Sequence, residues 1–211
     1  MVKTKICGIT NAGDARRAIA AGAEFLGFNF YEKSPRYIRP AAARRIARGL
    51  PKRVKLVGVF VNESEENILA IARQTGLDFL QLHGEESAAF VARVKRVAPV
   101  IKAVRVRPGF RAVELQKFHG AAAILLDGFD PKRRGGSGKT FDWSVAKQIA
   151  AKQRIFLAGG LTPENIGAAI LSVRPYAVDV CSGVESRPGK KSAARMVALK
   201  KAVEKARGKK R

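Results

Sequence analysis

The sequence predicts a single (β/α)8 TIM barrel, eight parallel strands inside eight outer helices. Three observations carry that prediction. Eight short β-branched or apolar runs alternate with longer amphipathic segments from one end of the chain to the other. The length of 211 residues lies at the compact end for such a barrel, which needs roughly 200 residues or more. No glycine-rich dinucleotide turn follows the first apolar run, which argues against the competing doubly wound sheet.

The predicted strands are, in order, Thr4–Cys7, Phe25–Phe30, Lys55–Val61, Phe79–Leu82, Val100–Val106, Ala122–Leu126, Ile155–Ala158 and Ala177–Val180. Apolar residues recur at helical spacing between them. Ile68, Leu69, Ile71 and Ala72 form one stripe, and Phe90, Val91, Val94 and Val97 another. Ser64 reads as a helix cap with Asn67 behind it, and Thr162-Pro163-Glu164 as a helix entry with proline in the first turn. Repeated strand–helix units require a parallel sheet, and eight of them favour closure. Residues 1–199 are expected to form the barrel domain. Residues 200–211, with seven bases against Glu204, are expected to be a basic tail that frays from the last helix.

A hydrophobic fraction of 46% supplies one sizeable core. No apolar run approaches the ~18 residues of a membrane span, and the N-terminal stretch lacks the pattern of a secretory signal. The expected location is therefore cytoplasmic, with Cys7 and Cys181 as free thiols. The net charge of +24 raises nucleic acid as a rival partner. The bases are spread along the chain and no aromatics alternate with the basic tail, so a solvated exterior is expected instead and nucleic acid is not the expected primary partner.

In a barrel, chemistry belongs to the C-terminal ends of strands and the loops that follow. That rule selects Cys7 after strand 1, His83 after strand 4, Asp127 after strand 6, Gly159 and Gly160 after strand 7, and Ser182 and Gly183 after strand 8. Two glycine-bearing turns on the last two strands can aim backbone N–H groups at an anion, which points to a small phosphorylated substrate. A partly desolvated carboxylate at a barrel mouth can hold a proton near neutrality, making Asp127 a candidate acid. A thiol near positive charge can ionise, making Cys7 a candidate base. The two could face one another across the mouth.

Other signals fail. Gly135-Gly136-Ser137-Gly138-Lys139-Thr140 is not a nucleotide-triphosphate loop, because Arg133 stands where the motif needs glycine. It suits a loop that could cover a ligand equally well as an ordinary surface loop. Trp143 reads as the anchor that returns this loop to its helix. His83 and His119 have no ligand spacing for a metal, and no Ser–His–Asp arrangement is suggested.

At these residues the chain resembles the phosphoribosylanthranilate isomerase family. The matching blocks include Lys5-Ile6-Cys7-Gly8-Ile9-Thr10, the run from Gly27 to Ile38, Val57 to Asn62, Leu80-Gln81-Leu82-His83-Gly84-Glu85 and Leu125-Leu126-Asp127. They continue through Gly135 to Trp143, Ala158 to Asn165, Val178 to Glu185 and Pro188-Gly189-Lys190-Lys191, in the family's order and over nearly the whole chain up to about Lys191. The resemblance implies an Amadori rearrangement in tryptophan biosynthesis without metal or cofactor. It implies Cys7 as base, Asp127 as acid, Arg36 as the group holding the anthranilate carboxylate, and Gly136, Gly160, Ser182 and Gly183 as the phosphate cradle. Gln81, His83, Gly159 and Asp179 join the expected substrate-binding set. A monomer or a homodimer is expected.

Two rivals follow. A histidine-pathway barrel performs the same chemistry on a larger substrate, but such barrels resemble paired half-barrels with an aspartate base on strand 1. Here position 7 is cysteine and Phe60-Val61-Asn62-Glu63 carries no glycine pair. The second rival is a protein whose basic surface recruits RNA, for which steep loss of binding with salt would mark an incidental interaction.

Overall fold

The computed structural model describes residues 1–128 and 142–208. Eight parallel strands close into a barrel in chain order, β1 (Lys3–Cys7), β2 (Phe25–Asn29), β3 (Lys55–Phe60), β4 (Phe79–Leu82), β5 (Val100–Val106), β6 (Ala123–Gly128), β7 (Ile155–Leu157) and β8 (Ala177–Val180). Closure is by β1 on β8, with Lys5 opposite Asp179. All eight predicted strands are present, and their ends shift by one or two residues. The consequential shift is in β6, where pairing continues through Asp127 opposite Arg105, so Asp127 lies within the strand and not after it.

The helical layer comprises α1 (Ala12–Ala20), α2 (Pro40–Arg48), α3 (Glu65–Thr75), α4 (Ala88–Val94), α5 (Trp143–Ala150), α6 (Ile166–Val173) and α7 (Ala193–Gly208). A 3₁₀ helix, Ala112–Phe118, fills the position between β5 and β6. Short polar side chains start several of these helices by accepting orphan N–H groups. Ser64 accepts from Asn67 N as the sequence suggests, Ser87 accepts from Phe90 N, and Asp142 from Ser144 N. Thr162 opens this entry as expected, its Oγ1 accepting from Glu164 N and its carbonyl from Ile166 N. Regular α6 begins at Ile166, after a turn in which the Asn165 side chain bonds back to the Gly160 carbonyl and the Thr162 N–H. Val97 is exposed and lies beyond the end of α4, so that stripe stops at Val94.

Strand alternation divides the core into two layers. Phe25, Val57, Ile101, Leu125 and Phe156 fill the barrel interior, where the Phe25 and Phe156 rings meet edge-to-face at 5.3 Å. Ile6, Leu26, Leu80, Leu126 and Leu157 point outward against Ile68, Val91, Ile149 and Ile170 of the helices. Each such side chain contributes ~1.5–3 kcal/mol by burial. The segment from residue 200 to 208 does not fray as expected. Val203 and Ala206 continue the buried stripe of Met196 and Leu199, and Arg207 donates to the Val2 carbonyl through Nε at 3.0 Å. Residues 209–211 lie outside the described residues. Among the described residues no helix is long and apolar enough to cross a membrane.

Between β8 and α7 the chain makes a 3₁₀ turn, Ser182–Val184, and then a small antiparallel hairpin of β9 (Glu185–Arg187) and β10 (Lys190–Lys191). Thr10 Oγ1 donates to the Gly189 carbonyl at 2.6 Å and pins the hairpin over the end of β1.

Candidate active site

A cavity of about 610 Å³ opens at the C-terminal mouth of the strands. Cys7, Arg36, Gln81, His83 and Asp127 line it, and so do Gly159, Gly160, Asp179 and Ser182. Gly183 does not line the cavity. It packs behind it, where an added Cβ would sit 1.9 Å from the Leu161 carbonyl oxygen. The expected contribution of Gly136 lies outside the described residues, as does the rest of the segment Gly135–Thr140. Trp143 opens α5 and packs partly buried against the outer core.

The Cys7 side of the cavity is built from β1 and β8. Period-two alternation puts Lys5 and Cys7 on the same inward face of β1. Lys5 Nζ donates to both Asp179 oxygens at 2.9 Å, a fully desolvated pair at the barrel axis. Burial pushes the Asp179 carboxyl up to about 6 against the opposing pull of Lys5. Burial would lower the Lys5 ammonium, but Asp179 and Cys7 outweigh it and hold Lys5 above the ordinary lysine value. Gly27 on the neighbouring strand makes the room, since a Cβ there would lie 2.8 Å from Cys7 Sγ and 3.2 Å from Lys5 Nζ.

A second thiol completes this side. Cys181 beside it holds Cys7 well below the ordinary thiol range despite burial, helped by the Lys5 and Lys191 charges. Cys181 is correspondingly pushed up. Lys191 Nζ, wholly buried, donates to the Cys181 carbonyl at 3.1 Å, stands 3.8 Å from Cys181 Sγ and bonds Glu185 Oε1 at 3.0 Å. The β9–β10 register, Lys191 opposite Glu185, brings these two together.

On the Asp127 side, Asp127 Oδ2 lies 3.3 Å from His83 Nε2, and Gln81 Nε2 lies 2.8 Å from His83 Nδ1. The Gln81 amide donates to Nδ1, which leaves the ring proton on Nε2, facing Asp127. Gln81 Oε1 is buried without a partner among the described residues. Such an acceptor on a cavity wall is suited to a donor group on a ligand.

Arg36 is committed at one edge. Its Nε and Nη2 donate to Glu185 at 2.9 and 2.8 Å, leaving Nη1 without a protein partner among the described residues. On the cavity wall Gly159 (φ +83°) and Gly160 (φ +62°) take left-handed conformations that suit glycine. A Cβ on Gly159 would meet Gly128 N at 2.4 Å. Sequence reasoning missed Lys5, Cys181, Glu185 and Lys191 as parts of the site. Period-two spacing from Cys7 and Asp179 could have found the first two; Glu185 and Lys191 require knowledge of the hairpin. Among the described residues no group of three or more His, Cys, Asp or Glu side chains is assembled as a metal site.

Fold and cavity together define a (β/α)8-barrel protein with a cavity of titratable side chains at the C-terminal mouth of its strands. The family model described as N-(5'-phosphoribosyl)anthranilate (PRA) isomerase matches residues 4–202. The chain belongs to this family. It is 52% identical to the N-(5'-phosphoribosyl)anthranilate isomerase of Pelobacter propionicus over 93% of this chain and 92% of that one. A crystal structure of phosphoribosyl anthranilate isomerase in complex with reduced 1-(o-carboxyphenylamino)-1-deoxyribulose 5-phosphate is 42% identical, with a TM-score of 0.85 over 97% of this chain and 100% of that one. Mutually generated monomers of the dimeric phosphoribosylanthranilate isomerase from Thermotoga maritima are 41% identical, with a TM-score of 0.86 over 97% and 99% of the two chains.

Proposed function

We propose that this chain converts N-(5'-phosphoribosyl)anthranilate to 1-(2-carboxyphenylamino)-1-deoxyribulose 5-phosphate, with Asp127 as general acid and Cys7 as general base. The observation that carries the reading is the presence in one cavity of a thiol held below its ordinary range, a carboxyl group and an arginine, with positive-φ glycines on the wall. Asp127 gives a proton to the furanose ring oxygen as the bond from that oxygen to C1 breaks and the nitrogen lone pair forms the Schiff base. The Cys7 thiolate then takes the C2 proton, and the C2–H electrons form the enolamine, which relaxes to the ketone. Each proton-transfer group is expected to contribute ~10²–10⁴-fold.

Arg36 holds the anthranilate carboxylate through the Nη1 side that Glu185 leaves open, so recognition is by the outer guanidinium edge and not by the Nε–Nη2 fork. The phosphate lies on the N–H groups of Gly160 and Ser182, with Gly183 packed behind them. Gln81 Oε1 accepts from a substrate N–H or O–H. Asp179, with both oxygens on Lys5, acts by holding that charge beside Cys7 and not by binding substrate directly. The reaction belongs to tryptophan biosynthesis in the cytoplasm, and the dimeric Thermotoga relative supports a homodimer over a monomer.

The test is to add purified protein to freshly generated phosphoribosylanthranilate and follow the loss of anthranilate-type fluorescence, with the histidine-pathway substrate in parallel. Rapid turnover of the first alone is expected. Comparable rates on both would replace the narrow assignment with a shared one, and no turnover of either would reject it.

A further inference from the structure

Behind the cavity wall, outside the barrel, lies an ion pair that the chemistry above does not use. Lys102 on β5 points outward into the helical layer, and Glu86 lies in the β4–α4 connection. Each side chain is 3% exposed, and they meet at 2.8 Å. The Phe118 ring lies 5.7 Å from the Lys102 ammonium, and both side chains line a second cavity of about 530 Å³ with Glu86. Two desolvated charges cost several kcal/mol each before their attraction offsets it. An apolar pair would fill this place at least as stably, so stability alone is a poor reason for the arrangement.

Its hydrogen bonds give a better one. Lys102 Nζ donates to the Leu82 carbonyl at 3.2 Å and to the Gly84 carbonyl at 2.8 Å, the residues immediately before and after His83. Glu86 accepts from Gly84 N at 3.0 Å and from Asn62 N at 2.9 Å. Asn62, itself at φ +51°, accepts with its side chain from Glu85 N at 2.6 Å. Gly84 fits because a Cβ would overlap Asn62 Oδ1 at 2.2 Å. The backbone on both sides of His83 is thereby fixed from the rear, while its ring faces Gln81 and Asp127 in front.

We propose that Lys102, Glu86 and Asn62 form a buttress that positions His83 against Asp127, making all three positioning residues for proton donation. This rests on the acid role proposed for Asp127, so the experiment needs a readout independent of turnover. The chain has two histidines, and His119 lies on the exposed 3₁₀ helix end, so ¹⁵N-histidine NMR reports His83 with an internal control.

The variants are Lys102→Met combined with Glu86→Gln, which leaves no unpaired buried charge, and Asn62→Gly. The latter keeps the left-handed backbone at an exposed position and is expected to fold. In the parent, His83 is expected as the Nε2–H tautomer. In both variants its ring signals shift toward a tautomer mixture while His119 stays put. In parallel kcat falls about 10-fold or more with KM within about threefold, the scale of lost supporting contacts around a reactive group. His83 signals and kcat unchanged in the folded variants would overturn the proposal, and Asn62→Gly decides alone should the double variant fail to fold. A His83 shift in a parent that lacks isomerase activity would uphold the buttress and reject the assigned reaction.

Discussion

Arg36 and Glu185, 149 positions apart in sequence, are joined by two parallel hydrogen bonds of 2.9 and 2.8 Å at the rim of the cavity. The pair is nearly desolvated, with 13% and 4% of the two side chains exposed, and Lys191 binds the same carboxylate from below. Arg36 and the Cys7–Cys181 thiols are therefore linked through one carboxylate, Glu185, by way of Lys191.

Arg36→Lys keeps the charge but loses the second bond to Glu185 and the planar edge presented to a carboxylate. A charge-assisted bond is worth ~1.5–3 kcal/mol, so kcat/KM is expected to fall roughly 10- to 150-fold, mostly through KM. Steady-state kinetics check this; an unchanged KM would remove Arg36 from carboxylate binding.

Cys7 titrates below a free thiol because of the Cys181 S–H first and the Lys5 and Lys191 charges second. Alkylation requires the thiolate, so iodoacetamide should modify Cys7 with a midpoint below the free value of about 8.5. Cys181→Ala removes the leading contribution and moves the midpoint up, as does Lys191→Met by a smaller amount. Mass-resolved alkylation rates across pH read both shifts.

The depressed carboxyl of Glu86 gives a stability prediction. Burial raises it, but Lys102 and the backbone N–H bonds outweigh burial and lower it. A group whose folded value lies below its unfolded one stabilises above the unfolded value, about 4.3, and loses that contribution as pH falls through the folded value. Denaturant melts at pH 6 and pH 3 should show a smaller loss for Lys102→Met/Glu86→Gln than for the parent.

Asp179→Asn leaves Lys5 charged and unpaired at the barrel axis, with an expected cost of ~3–5 kcal/mol. Lys5→Met with Asp179→Leu should recover most of that stability but not activity, because Cys7 loses a neighbouring positive charge. Urea midpoints and turnover on the same samples separate the two effects.

Gly159→Ala meets strain at φ +83° and a contact of 2.4 Å with Gly128 N. We expect a stability loss of at least ~1 kcal/mol and weaker competitive inhibition by inorganic phosphate, measured against the same change at the open turn Gly22.

The barrel was legible because strand runs and their order are local properties, and all eight runs pair where the apolar patterning put them. Where the sequence misled, tertiary contacts decided. Thr162 caps the helix entry as its sequence suggests, but the Asn165 side chain shapes a turn that moves the start of regular α6 to Ile166. The basic segment after residue 199 looked solvated, but Val203 and Ala206 carry its helix over the core. The charge of +24 read as an exterior, yet among the described residues Lys5, Lys102 and Lys191 are buried, each with a carboxylate 6 to 174 positions away; period-two spacing from Cys7 marks the first, and no local signal marks the other two. Candidate site residues at strand ends were found by position along the strands. Their partners were not, because pairing across closure and through the β9–β10 hairpin has no sequence signature.

The most direct test of the central claim is kcat/KM for Cys7→Ala and Asp127→Asn beside the parent on phosphoribosylanthranilate. Both variants are expected to lose ~10²–10⁴-fold with KM little changed, since each removes a proton transfer and no binding contact. Parent-like turnover in either folded variant would contradict the acid–base assignment at that residue.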